Sequence, residues 1–444
     1  MSKEIAQKKY HVMTYGCQMN EHESEKIEGM LSSLGYLRHD SPETSDVIVV
    51  NTCCIRESAE AKIISNIGYL RRYKQANKNL VIIICGCLTQ QKDLSKKLFQ
   101  RFEFINIIIG TQNLHRIPDF LEETKETGKR IISIEEDELK VYEDVPANRY
   151  NKPFAYVNIM YGCNNYCAYC IVPYVRGGER SRKSEKILEE IDMLAKDGYK
   201  EITLLGQNVN SYNSGSQSDI SFPELLEKIE KIDSIKRVRF MTSHPKDLSE
   251  ELIEVLKNRK TICNHIHLPV QAGSSRVLKR MNRRYDKERY LSLIEKLRAV
   301  SPDIAITTDI IVGFPGETEA DFEETIGLVK EVRFDSAYTF KYSKRSGTKA
   351  EKMEEQISDE IKTKRIMHLL EIQNNITYEK NKEMLGKTVS VLVEGKREGN
   401  NQMFGKTDCF KLVNFETEKD LHGKFVNIEI TKAMKNSLFG EIVW

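Results

Sequence analysis

Ten cysteines stand in this 444-residue chain, and two sets of three have the spacing to do chemistry. Cys163, Cys167 and Cys170 form C-x-x-x-C-x-x-C in Tyr161-Gly162-Cys163-Asn164-Asn165-Tyr166-Cys167-Ala168-Tyr169-Cys170. The strand-like run Phe154-Ala155-Tyr156-Val157-Asn158-Ile159-Met160 leads straight into them. A disulfide framework needs thiols in pairs, and three in one short loop leave one over. Tetrahedral zinc wants four ligands, and no fourth Cys or His follows at a usable spacing. Three thiolates on one loop can instead hold three irons of a cubane cluster that normally takes four, leaving one iron open for chemistry. The competing reading is three structural thiols in a turn.

Cys17, Cys53 and Cys87 form the second set, 34 to 36 residues apart. Each falls just past an apolar strand-like run: one ending near Met13-Thr14-Tyr15, then Val47-Ile48-Val49-Val50-Asn51-Thr52, then Val81-Ile82-Ile83-Ile84. In an open α/β sheet the C-terminal ends of the strands line one crevice. The three thiols are therefore expected to converge there and to hold a second cluster with an open iron. Against this stands the tendency of free cysteine simply to be buried. Cys85, inside the third run, reads as core, and Cys54 is expected to point away from the site. Cys263 and Cys409 are assigned no role.

The elements that must position these residues fall into three blocks. Residues 8–125 alternate buried-strand runs with helical patterns (Glu23 to Leu34, Glu57 to about Tyr73, Thr89 to Phe99), which indicates an open parallel α/β sheet. Residues 126–150 read as a linker containing one strand-like piece, Ile131-Ile132-Ser133-Ile134. From 151 to 380 six strand–helix units follow, with strands near 154–160, 201–206, 237–242, 265–270, 304–312 and 336–342. They predict a central partial (β/α)6 barrel. After a long helix near Ser358 to Leu385, residues 381–444 switch to a period of two, which predicts a small antiparallel β-barrel with strands near 388–393, 402–413, 424–430 and 437–443. The whole is an α/β multidomain chain.

Composition sets further bounds. Lys and Arg total 68 against 66 Asp and Glu, a net charge of +2, so bulk charge does not announce a nucleic-acid binder. Segment 381–444 holds ten Lys and Arg and nine Asp and Glu, so an RNA face would have to be one-sided, and Lys396, Arg397, Lys406 and Lys411 are its candidates. No apolar run approaches the ~20 residues of a membrane span, and the N-terminus has no secretory h-region. Cysteines in such a chain favour metal or redox work over disulfides. A cytoplasmic monomer is expected.

The reactive face of a βα barrel lies at the strand C-termini. Gly206-Gln207-Asn208, Thr242-Ser243-His244-Pro245, Gln271-Ala272-Gly273, Val312-Gly313-Phe314-Pro315-Gly316 and Tyr342-Ser343-Lys344-Arg345 fall there and are expected to line a ligand cavity. Arg176, Arg180 and Arg182 read either as partners of a phosphate or carboxylate or as salt-bridge residues of the following helix. His265 and His267 share one face of a strand and are claimed for no catalytic role.

The cysteine spacing is the signature of the radical S-adenosylmethionine (SAM) enzymes. The longer run from Gly162 to Arg182 resembles the methylthiotransferase branch of that superfamily. Asn51-Thr52-Cys53-Cys54-Ile55-Arg56-Glu57-Ser58-Ala59-Glu60 is most similar to the tRNA 2-methylthio-N6-dimethylallyladenosine synthases, whose usual pattern has a small residue in place of Cys54. Arg56-Glu57 after the second cysteine favours that subgroup. The C-terminal block resembles the TRAM domain, an RNA-binding module.

The resemblance implies two [4Fe-4S] clusters, one on Cys163, Cys167 and Cys170 for radical generation and one on Cys17, Cys53 and Cys87 for sulfur delivery. It implies SAM held near Tyr169, Gly206, Gln207, Asn208, Ser243, Gln271 and Gly313. The Gly-Gly-Glu usual after the second barrel strand is here Gly206-Gln207-Asn208, a departure that bears on which residue holds the SAM amino group. The implied activity is 2-methylthiolation of N6-(dimethylallyl)adenosine at position 37 of a tRNA anticodon stem-loop. A 5′-deoxyadenosyl radical would begin the attack on an unactivated ring carbon. The implied helpers are a flavodoxin- or ferredoxin-like reductant and proteins supplying sulfur or clusters. Alternatives are a methylthiotransferase for threonylcarbamoyl-adenosine or for a ribosomal-protein aspartate, an iron–sulfur electron-transfer protein with an RNA-binding tail, and a zinc-ribbon structural protein.

Overall fold

The computed structural model describes residues 7–54, 57–134, 141, 143, 145–150, 152–214, 219–399 and 401–443, the side chains of 57–61 aside. The chain divides into two compact units. One comprises Met1–Tyr150, Tyr161–Asn164 and Ile171–Arg180, and the other Asn151–Met160, Asn165–Cys170 and Ser181–Trp444. Arg56, read above as a mark of the prenyl-type subgroup, lies outside the described residues.

In the first unit, β1 (Lys9–Thr14), β2 (Leu37–Arg38), β3 (Val47–Thr52), β4 (Val81–Gly86), β5 (Ile107–Ile109) and β6 (Ile131–Ser133) form one sheet in the order β2-β1-β3-β4-β5-β6. Every pairing is parallel. β3 and β4 are buried along their whole length, as strands covered on both faces must be. Burying each Ile or Val of these runs contributes about 1.5–3 kcal/mol. Helix α1 (Gln18–Ser33) begins directly after Cys17, five residues earlier than the apolar pattern suggests. The first turn of α1 is polar, so periodicity does not mark it.

The sheet also runs beyond the expected end of this block. The last two residues of helix Ile117–Thr127 and all of β6 fall in the stretch read as a linker. Asn148 there bonds α1, its N–H donating to the Glu25 carbonyl (2.9 Å) and its Nδ2 to Ser32 Oγ (2.6 Å). β6 is short and half-exposed, so it lacks the long apolar run that betrays its neighbours.

The second unit holds six parallel strands in chain order: Phe154–Asn158, Glu201–Leu205, Arg237–Phe240, His265–His267, Ala305–Val312 and Ser336–Lys341. They form two three-stranded sheets, with a single bridge from Val238 to Ile262 ahead of the fourth strand. Amphipathic helices such as Ser184–Lys196, Phe222–Ile229 and Glu250–Lys257 cover the outside, their apolar stripes joining one core. Helix Asp359–Lys382 follows the last strand.

Residues 388–443 close a five-stranded barrel. The run read as one strand at 402–413 is two, Gln402–Lys406 and Leu412–Glu416, split by a turn. The barrel is also not antiparallel throughout: Leu412–Glu416 pairs parallel with Leu438–Val443 to close it, a pairing set by closure rather than by any local pattern. Its turn docks on the six-stranded core. Arg239 donates to the carbonyls of Thr407 (2.5 Å) and Asp408 (2.8 Å) while binding Glu201 (2.8 Å), and Arg237 donates to those of Lys406 and Ser390 (2.7 Å each). Phe410 stacks on the His265 ring, centroids 4.9 Å apart, and His265 and His267 both bond Thr307 Oγ1. The two histidines thus belong to this packing. Among the described residues no helix is long and apolar enough to cross a membrane.

Candidate metal centres and ligand site

β1, β3 and β4 are adjacent and in register, Thr14 opposite Asn51 and Thr52 opposite Gly86. Cys17, Cys53 and Cys87 consequently leave the same edge of the sheet. Strand order reverses at β1, the position where open α/β sheets bind ligands. Two glycines let the loops close on one another. A Cβ on Gly16 would lie 2.6 Å from the Cβ of Cys53, and one on Gly86 would lie 2.2 Å from the Thr52 carbonyl oxygen. Both have φ above +100°, where a side chain is strained.

Beneath the loops runs a buried amide network. Asn20 Nδ2 donates to Asn51 Oδ1 (3.0 Å) and to the Thr52 carbonyl (3.1 Å), and Asn51 Nδ2 returns to the Asn20 carbonyl (2.9 Å). Cys17 caps α1, its carbonyl accepting the Asn20 and Glu21 amides. A helix N-terminus favours a thiolate.

The thiols touch in pairs. A hydrogen bond from Cys53, aided by the Arg176 guanidinium and the Asn20 amide, pulls the Cys17 thiol down to about 6. Cys87 is likewise lowered, chiefly by a hydrogen bond from Cys54 and then by Arg176. This corrects the expectation for Cys54, which is buried against Cys87 rather than turned away. The turn after β3 brings two consecutive side chains to neighbouring thiols, which alternation along a strand would not suggest. Cys85 is core, as its place within β4 implies.

Arg176 is also settled. It forms a bidentate pair with Glu23 of α1 (2.6 and 3.2 Å), both side chains buried. Arg182 bonds Glu190 of the following helix (2.6 Å). Neither is a free anion receptor. Among the described residues no three Cys, His, Asp or Glu are gathered to hold a single metal ion, but the lowered Cys17 and Cys87 thiols beside a buried cation have the chemistry that an anionic iron–sulfur cluster takes as donors.

Of the other set, Cys163 lies in the first unit, its amide donating to the Gly177 carbonyl (3.1 Å). Cys167 and Cys170 lie in the second, joined by a turn in which the Cys170 amide donates to the Cys167 carbonyl (2.9 Å). Arg283, which sequence reasoning missed, donates from Nη1 to Cys167 Sγ (3.4 Å) and Tyr169 Oη (3.5 Å). A hydrogen-bonded sulfur is what a metal-bound thiolate requires. Tyr169 is kept neutral by burial. The signal for Arg283 was available only as a polar turn, Asn282-Arg283-Arg284-Tyr285, between two helices.

The strand-end residues come together in part. The Gly206 carbonyl accepts from Thr242 Oγ1 (2.6 Å), and Asn208 Oδ1 accepts from the His244 amide (3.2 Å), tying two neighbouring loops. Gln207 Oε1, Ser243 Oγ and His244 Nε2 are buried with no hydrogen-bond partner among the described residues. Each such orphan costs about 1–3 kcal/mol, which is reason to expect a ligand. His244 Nδ1 accepts the Lys246 amide (3.1 Å) and burial keeps the ring neutral, so Nε2 carries the proton and is a donor. Gln271 sits at positive φ, bonded through its backbone to Asp309 and Ile311. The Gly313 amide is already taken by Glu317 (2.6 Å).

The candidate RNA residues divide. Lys406 pairs with Glu394 (3.0 Å), and Lys411 bonds Asn381 (2.9 Å) and Asp335 (3.4 Å). Lys396 and Arg397 stand at an open groove at the hairpin tip.

A six-stranded parallel core of this kind beside a C-x-x-x-C-x-x-C loop defines the radical SAM class. The Radical SAM superfamily matches residues 157–329, the Uncharacterized protein family UPF0004 residues 9–110, and the TRAM domain residues 382–443. Among solved structures, a radical S-adenosylmethionine methyltransferase from Kitasatospora setae with cobalamin and a [4Fe-4S] cluster bound shares the fold (TM-score 0.57, 13% identity, 78% of this chain and 77% of that one). Among curated proteins, the tRNA-2-methylthio-N(6)-dimethylallyladenosine synthase of Clostridium botulinum (strain Okra / Type B1) is 52% identical over 97% of this chain and 96% of its own. That of Caldicellulosiruptor saccharolyticus is 51% identical over 98% and 93%. The chain belongs to the family of tRNA-2-methylthio-N(6)-dimethylallyladenosine synthases, and it is an enzyme of that type.

Proposed function

We propose that this enzyme converts N6-(dimethylallyl)adenosine at position 37 of tRNA to its 2-methylthio derivative, using two [4Fe-4S] clusters and SAM. The observation that carries the reading is identity of about one half over nearly the whole chain to synthases of that name. The convergence of the Cys17, Cys53 and Cys87 loops at the sheet's reversal point supports it. Cys163, Cys167 and Cys170 would hold the radical-generating cluster and Cys17, Cys53 and Cys87 the sulfur-delivering one. When bound, these groups supply one-electron cleavage of SAM and the sulfur that polar side chains cannot.

The chain's own part is ligation and placement. Arg176 holds positive charge beside one set of thiols and Arg283 beside the other. Gln207, Ser243 and His244 offer polar atoms to a ligand, and Tyr169, Gly206, Asn208, Gln271 and Gly313 are proposed to complete the SAM site. Lys396 and Arg397 are the favoured RNA contacts, since their partners are the neutral Asn401, Asn414 and Phe404, whereas Lys406 and Lys411 are paired with carboxylates. A flavodoxin- or ferredoxin-like reductant, sulfur-supplying proteins and a cytoplasmic, monomeric state belong to the same proposal.

Anaerobically reconstituted protein, given prenylated tRNA, SAM and a reductant, should yield the 2-methylthio nucleoside by mass spectrometry. Unmodified prenylated adenosine, with clusters loaded and SAM cleaved, would point to another acceptor.

A further inference from the structure

Arg283 lies in the turn between helices Ser275–Arg280 and Lys287–Val300, and it is flanked by Asn282 and Arg284, both at positive φ (61° and 55°). For Arg284 that conformation costs about 1–2 kcal/mol, so tertiary contacts hold the turn in place. Those contacts run to the cysteine loop. Asn282 Nδ2 donates to the carbonyls of Asn165 (3.2 Å) and Tyr166 (3.0 Å), and the Ala168 amide donates to the Met281 carbonyl (2.9 Å). Between these bonds the Arg283 side chain enters the interior, 4% exposed.

All of its polar atoms point at neutral groups or at sulfur. Nε donates to Tyr285 Oη (2.9 Å), Nη2 to the Pro269 carbonyl (2.9 Å), and Nη1 to Tyr169 Oη and Cys167 Sγ. Among the described residues no carboxylate is bonded to it. A buried guanidinium without an anion is strongly unfavourable, and the bonded group that a metal would hold as an anion is the Cys167 sulfur.

We infer that Arg283 is a positioning residue for the cluster proposed on Cys163, Cys167 and Cys170: it is the counter-charge of the Cys167 thiolate and makes that cluster easier to reduce. The inference rests on the functional reading above, which puts a cluster there. Hydrogen bonds and net charge at cluster sulfurs set reduction potential. One electron arrives from an external low-potential donor, and no bond forms or breaks in that transfer. The guanidinium, fixed beside Cys167, offsets the added negative charge.

The test compares the full-length chain with Arg283→Gln and Arg283→Lys after anaerobic reconstitution, each also in a Cys17→Ala/Cys53→Ala/Cys87→Ala background that leaves one cluster to observe. Iron content and a dithionite titration followed by EPR are read without tRNA. Arg283→Gln should load normally yet show a reduced-to-oxidised ratio about tenfold lower at a given potential, or ~59 mV for one electron. Arg283→Lys, which keeps the charge, should recover part of the difference. An unchanged midpoint, or loss of iron in both variants, overturns the inference and leaves Arg283 a scaffold residue. Because tRNA is absent, a failure of methylthiolation leaves this result standing, whereas a parent chain that takes up no cluster brings down the functional reading itself.

Discussion

Gly16 and Gly86 are what allow three thiols from three strands to share one edge of a sheet. Gly86→Ala would set a methyl against the Thr52 carbonyl at a φ of +102°, so the strand end must move and take Cys87 with it. The variant should fold but carry roughly half the parent's iron, one cubane in place of two; full iron would mean the loops can part without losing the site. Cys54 makes a different prediction. It gives Cys87 a hydrogen bond, yet the proposed ligand set is complete without it, so Cys54→Ala should keep its iron. Loss of iron in Cys54→Ala would make this thiol a ligand. The six cysteines proposed as cluster ligands stand out in the sequence because metal chemistry restricts residue type and spacing severely. The direction of Cys54 and the partner of Arg176 were not, because a turn and a second segment of chain decide them.

At the scale of elements, Arg176 and Glu23 fasten segment Ile171–Arg180 to α1 within the first unit. Ile171 and Val175 of the same segment join that unit's core, and Thr111 Oγ1 donates to the Val175 carbonyl (2.7 Å). Breaking a buried pair from one side strands the other charge. Glu23→Ala should therefore lower stability by about 3–5 kcal/mol, while Glu23→Leu with Arg176→Met should cost clearly less. Urea denaturation of the apo chains reads both; equal losses would show the pair to be solvated after all. Strand and helix alternation was readable because buried parallel strands are long apolar runs. The place of β6 in the first sheet, the split at 407–411 and the parallel closure of the barrel escaped because edge pairing and ring closure leave no local periodicity.

Over the whole molecule, acid should act through the buried neutral histidines His244 and His265, and His265 is the one in the barrel packing. Burial and the neighbouring Arg239 hold its ring neutral, well below the ordinary imidazole range, with His267 on its own strand, Thr307 beside it and Phe410 stacked above. The unfolded chain takes up a proton near pH 6.5 and the folded one does not, so stability is present above that pH and lost below it. The slope is about 1.4 kcal/mol per pH unit for this group. Unfolding midpoints at pH 7.5, 6.5 and 5.5 should fall for the parent and fall less steeply for His265→Asn; identical slopes would assign the acid sensitivity elsewhere.

The carbonyls that Arg237 and Arg239 grip belong to Ser390, Lys406, Thr407 and Asp408, and a carbonyl is the same whatever side chain its residue bears. Side chains at these four positions can therefore change without breaking these bonds, whereas Phe410 and Lys411 of the same turn hold the module through their side chains. The outward face of the barrel can change while these backbone bonds keep it on the six-stranded core.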